Sequence, residues 1–148
     1  MKILQLTSLN ALLSVWEPLD TAFAVYNEKA RVNWTSTEAF LACLKMITQE
    51  RNAFCAVIVN EENKQVQSFL LAELVAGRCA NIVAFYYADG GPSYGQLLQT
   101  EFEQWCHAER VETYYLMTPR MSGCNERNMR VRFGLKPAGT VFSKTLTH

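Results

Sequence analysis

One stretch limits the folds open to this chain more than any other: residues 80–98, ANIVAFYYADGGPSYGQLL. An apolar, aromatic run stops at Asp89-Gly90-Gly91-Pro92-Ser93-Tyr94-Gly95. An amphipathic segment carrying Leu97, Leu98, Phe102 and Trp105 begins at once. The pattern predicts a buried strand, a glycine-bearing turn and a helix N-terminus. Such a turn gathers free N–H groups and the positive end of a helix dipole, a setting for an anion such as a phosphate. Gly90 and Gly91 supply backbone freedom, Gly95 permits close approach, Ser93 offers a hydroxyl, and Pro92 takes one N–H away. The same residues serve equally as a plain strand-to-helix turn, since a glycine turn alone is a weak motif.

The flanking chain supplies the partners. A short strand is expected near Lys2–Leu6. Thr7 or Ser8 then caps a helix with Leu9, Leu12, Leu13 and Trp16 on one face. Pro18 is expected to break that helix, with a second one starting near Asp20 and carrying Phe23 and Tyr26. Thr35-x-x-Glu38 reads as a capping box ahead of Phe40, Leu41, Leu44 and Ile47. Residues 53–60 form a strand, Glu61–Lys64 a polar turn, and Val66–Val75 the returning strand. After Ala76-Gly77-Arg78 comes the strand 79–88. Three antiparallel strands thus lead into the glycine turn. Beyond the helix Tyr94–Glu109, residues 111–118 predict a strand parallel to the one before the helix. Met121–Asn125 is irregular, residues 125–133 suit a short helix ending at Gly134, and 140–146 a closing strand with Phe142 and Leu146 on one face. The fold class is α/β, a mixed, mostly antiparallel sheet flanked by helices.

The 148 residues are 49% hydrophobic and 19% charged, which fits one globular domain, 1–148, with one substantial core. No apolar run reaches the roughly 18 residues of a membrane span, and the N-terminus lacks a signal-peptide pattern, so a cytoplasmic location is expected. Five cysteines in mostly apolar surroundings, without a C-x-x-C pair, predict buried free thiols. With two histidines in the chain, no metal site is expected. Fourteen basic residues balance fourteen acidic ones, which speaks against broad nucleic-acid binding. From Arg120 onward six basic residues face the single acid Glu126. That basic end suits an anionic ligand or an acidic partner, and equally a solvated face.

This order of elements, with two local patterns, resembles the GNAT superfamily of N-acetyltransferases over about residues 7–146. In that family an Arg/Gln-x-x-Gly-x-Gly/Ala turn holds the pyrophosphate of acetyl-CoA. Here Gly95 matches the last position, while Ser93 stands for the middle glycine and Gly90 for Arg or Gln. The family often shows an Asn opening a late helix, a Tyr within it, then Gly-Phe. Asn125 matches the first, Arg130 replaces the tyrosine, and Phe133-Gly134-Leu135 stands at the end. The resemblance implies acetyl-CoA as cosubstrate and a splay between the fourth and fifth strands that receives its pantetheine arm. It assigns cofactor binding to Phe85, Tyr86, Tyr87 and Ala88 along that arm, to Gly90, Gly91, Ser93, Tyr94, Gly95 and Gln96 around the pyrophosphate, and to Asn125.

For the chemistry, the family's base is often a carboxylate, and Glu73 in the third strand is the best placed here, followed by Asp89. Tyr115 or Tyr114 can replace the missing proton donor, although both also suit ordinary packing roles. Cys124 has no His or acid near it in sequence to make it a nucleophile. Arg127 and Arg130, three apart, can share a helix face toward a phosphate or an acidic partner. Two functions stay open. One is acetyl transfer from acetyl-CoA to a small-molecule or protein amine. The other is a GNAT-like protein without catalysis, a binding or structural part with a protein partner or a second copy of itself. Compact members of the fold occur among phage proteins, which admits a virion component.

Overall fold

The computed structural model describes residues 1–88, 92–117, 128–138 and 141–147. Ten elements follow one another: β1 (Lys2–Gln5), α1 (Leu9–Ala30), α2 (Ser36–Thr48), β2 (Ala53–Val59), β3 (Val66–Val75), β4 (Cys79–Tyr87), α3 (Pro92–Ala108), β5 (Thr113–Met117), β6 (Lys136–Ala138) and β7 (Val141–Thr145). The described strands make one sheet in the order β1-β2-β3-β4-β5-β7-β6. β4 and β5 run parallel and every other neighbouring pair runs antiparallel. The mixed, mostly antiparallel sheet read from the sequence is the one observed.

Helices α1 and α2 cover one face. Leu12, Val15, Leu19 and Phe23 of α1, with Ala39, Cys43 and Met46 of α2, pack on Cys55, Val57, Phe69, Leu71, Ala84 and Tyr86. Helix α3 covers the other, where Leu98, Phe102 and Cys106 meet Phe54, Ala72, Ile82, Tyr114 and Leu116. Strand β2 is buried along its whole length because both faces are covered. Lys144 of β7 reaches Glu103 of α3 at 2.5 and 2.8 Å, fixing the far strands to the same helix.

Three expectations need correction. Pro18 does not break α1, which runs as 22 residues through it. The apolar stripe stays in phase across the proline, with Val15, Leu19, Ala22 and Phe23 all buried, and Ser14, whose carbonyl loses its N–H partner, is exposed to water. The segment after Asn125 is described only from Asn128, and Asn128–Arg132 forms one π-type turn instead of a short α-helix. Finally, β6 was not foreseen. It is a three-residue edge strand in which Pro137 stands opposite Phe142, a place where a proline is tolerated. The capping box holds as read: Thr35 Oγ1 accepts from the Glu38 N–H at 3.1 Å and donates to Glu38 Oε1 at 3.2 Å.

Candidate functional site

The pairing of β4 changes half-way along the strand. Cys79 to Ile82 pair with Thr113 to Leu116, and the parallel ladder then stops, whereas β4 runs on through Val83 to Tyr87. On the other side the β3–β4 register slips at the same point: Ala72 pairs with Ile82 but Leu71 with Ala84. Val83 is therefore a one-residue bulge, and a bulge bends its strand and increases its twist. The next positions of β5, 118–120, lie outside the described residues, so the described ladder ends at Ile82 and Leu116.

The bulge also decides where the four β4 candidates point. Ile82 faces α3, while Ala84 and Tyr86 face α1 and α2. Tyr86 is buried against Phe69, ring centroids 5.3 Å apart, with the Lys29 ammonium 5.5 Å from its own ring centroid. Phe85 and Tyr87 turn toward α3, where both meet Phe133 at centroid distances of 5.3 and 5.4 Å. Ala88 continues the hairpin by donating its N–H to the Gln67 carbonyl at 2.9 Å.

Strand β4 is followed in the chain, after residues 89–91, by the start of α3. Asp89, Gly90 and Gly91 lie outside the described residues, as do Ser122, Cys124, Asn125 and Arg127. Pro92 has no N–H to give, and the first-turn amides of Ser93 and Tyr94 lack carbonyl partners within the helix. Ser93 is exposed and Tyr94 half-buried. Gly95 is tightly enclosed, because a Cβ there would lie 3.0 Å from Tyr87 Cδ1 and 3.1 Å from Phe133 Cζ. Its missing side chain makes room for two aromatic rings. Gln96 Nε2 donates to the Arg132 carbonyl at 2.8 Å, and Gln99 Nε2 to the Phe133 carbonyl at 2.6 Å and the Tyr114 hydroxyl at 2.8 Å. Helix α3 thus fastens the segment that carries Phe133.

The two residues expected to move protons come together in one row. Glu73 of β3 stands opposite Asn81 of β4, and Asn81 stands beside Tyr115 of β5. Ser143 of β7 follows Tyr115. All four lie on the face that bears α1 and α2, one residue before the last β4–β5 pair, Ile82 and Leu116. Gln49 Nε2 donates to Glu73 Oε2 at 3.3 Å, and Lys45 Nζ stands 3.6 Å from the same oxygen. Tyr114, the alternative acid, faces the other way, fully buried under α3. Burial and then the Glu103 charge push its phenol far above the ordinary value of 10.0. Asn81 escaped the sequence reading, because only the register shows which residue of β4 lies between Glu73 and Tyr115.

No family model matches the chain, and no curated protein matches it. Solved structures do. A GNAT-family acetyltransferase from Staphylococcus aureus has a TM-score of 0.70 at 10% identity, covering 99% of this chain and 100% of that one. The PaiA N-acetyltransferase of Thermoplasma acidophilum, solved with coenzyme A, has a TM-score of 0.69 at 11% identity, with coverage of 99% and 100%. The fold is the GNAT fold. An aminoglycoside 6'-N-acetyltransferase complexed with coenzyme A shares it as well, with a TM-score of 0.71 at 12% identity over 98% and 97% of the two chains. At such identities the likeness is one of fold alone.

On this GNAT fold the described residues fit an acyl-CoA in two places. These are the stretch of β4 past the Val83 bulge and the first-turn amides of α3. Among the described residues no helix is long and apolar enough to cross a membrane.

Proposed function

We propose that the chain binds acetyl-CoA between β4 and β5 and transfers its acetyl group to an amine, whether of a small molecule or of a protein. The observation that carries this reading is the end of the described β4–β5 ladder at Ile82 and Leu116, beside the Val83 bulge and ahead of α3 in the chain. Its support from outside the chain is the likeness to GNAT structures solved with coenzyme A.

Bound acetyl-CoA supplies a thioester whose carbonyl carbon accepts the amine. The chain's share is placement and proton movement. The backbone from Val83 to Ala88 receives the arm, and the amides of Ser93 and Tyr94 face its phosphates at the positive end of α3. Glu73 takes the proton that the amine nitrogen loses as its bond to the acetyl carbon forms. Tyr115 gives a proton to the sulfur as the carbon–sulfur bond breaks. Lys45 and Gln49 hold the Glu73 carboxylate in place. The test is direct: millimolar acetyl-CoA raises the melting temperature, and thiol is released in the presence of an amine mixture. Folded protein that shows neither effect would sink the reading.

A second reading has its own observation. Gly95, the residue matching the family's phosphate turn, is fully explained by the rings of Tyr87 and Phe133. A GNAT-fold binding or structural component, a phage particle protein among the forms it takes, would keep that glycine without any cofactor. Stable self-association with no affinity for acetyl-CoA would favour it.

A further inference from the structure

Resting on the acetyl-transfer reading, we infer that Asn81 is a positioning residue, which stands between Glu73 and Tyr115 and orients the N–H or O–H group that Glu73 deprotonates. Neighbouring residues in such a row have Cβ atoms about 5 Å apart, so Glu73 and Tyr115 are separated by roughly 10 Å. Asn81 fills that gap. An asparagine carries two donors and an acceptor and stays neutral at every pH. Its Nδ2 can donate to a carboxylate on one side while its Oδ1 accepts from a phenol or from an incoming acceptor. The side chain is half-buried, on a polar strip of the sheet that α1 and α2 leave open. No hydrogen bond to another described residue occupies the side chain of Asn81 or Tyr115. The row adjoins the last described β4–β5 pair, Ile82 and Leu116, next to the stretch of β4 that the acetyl-transfer reading gives to the cofactor.

The groups facing Glu73 are few: Lys45 and the Gln49 amide from the α2 side, Ala53 from β2, and Asn81 from β4. This makes Asn81→Asp informative. A second carboxylate beside Glu73 makes the pair release its protons in two steps, the later one raised. In the free protein, the melting temperature of Asn81→Asp should fall relative to wild type as pH rises from 4 to 7. Adding Glu73→Gln should abolish that dependence. A pH-independent difference would show that the two side chains do not share a site, and would overturn the inference.

The functional arm uses water as the probe acceptor, in acetyl-CoA hydrolysis. Asn81→Ala should slow hydrolysis about tenfold while leaving the affinity for acetyl-CoA unchanged. Asn81→Asp should move the acid limb of the pH–rate profile upward by about one unit. An unmoved limb, or wild-type protein that binds acetyl-CoA without hydrolysing it above background, would also overturn the inference. Wild-type protein that fails to bind acetyl-CoA removes the underlying reading instead, and leaves the free-protein result standing.

Discussion

Gly95 and Tyr87 pack as closely as a glycine allows: a Cβ on the first would lie 3.0 Å from Cδ1 of the second. The contact ties the first turn of α3 to the end of β4, and Phe133 closes it from a third side at 3.1 Å. In an open helix, Gly→Ala stabilises by up to about 1 kcal/mol. Here three overly short contacts with two rings oppose that gain, and overpacking of this kind costs about 1–3 kcal/mol. Gly95→Ala is therefore expected to lower the denaturant midpoint, with a net loss of about 1 kcal/mol. Phe133→Leu in the same chain should recover part of it. A stabilised Gly95→Ala would mean that the rings move aside freely.

Ser93 tests the helix start without touching that packing. It is exposed in the first turn of α3, where proline is tolerated because the N–H has no partner within the helix. Ser93→Pro should leave the melting temperature of the free protein near that of wild type. Its affinity for acetyl-CoA should fall about tenfold, the worth of one hydrogen bond to a charged group. Equal affinities, measured by titration calorimetry, would exclude this amide from the phosphate site.

Alkaline stability should be limited by buried thiols and phenols. Burial, then the Glu103 charge, pushes the Cys106 thiol from 9.0 to about 12. A hydrogen bond with Cys43, then burial, raises Cys55, and burial raises Tyr26. Each folded-state value lies above the unfolded one, so the stabilisation is complete below pH 9 and is lost as pH climbs. For Cys106 the loss falls between pH 9 and about 12, at about 1.4 kcal/mol per pH unit. Guanidinium midpoints at pH 8, 9.5 and 10.5 should decline, and less steeply in Cys106→Ala. A flat profile would contradict the burial of these groups.

How much of this was legible in the sequence depends on whether a feature is local. Strands β2 to β4 carry their own apolar runs and turn residues, and Thr35-x-x-Glu38 carries its own cap, so all were readable. Pro18 misled because its cost is local while the packing of Leu19, Ala22 and Phe23 that overrides it is tertiary. The Val83 bulge is invisible in ANIVAFYY, since a bulge exists only relative to a partner strand. Glu73 and Tyr115 were singled out separately, but their common row with Asn81 follows from two registers that no single segment encodes. Of the residues assigned to the pyrophosphate, Gly90 and Gly91 lie outside the described residues, and Gly95 is explained by packing.

The measurement that bears most directly on the central claim is titration calorimetry of acetyl-CoA into the wild-type protein, with Ser93→Pro beside it. One site per chain with micromolar affinity, weakened about tenfold in Ser93→Pro, is the predicted result. No heat and no saturation at millimolar acetyl-CoA, from protein that unfolds cooperatively, would contradict it and leave the GNAT fold here as a scaffold without its cosubstrate.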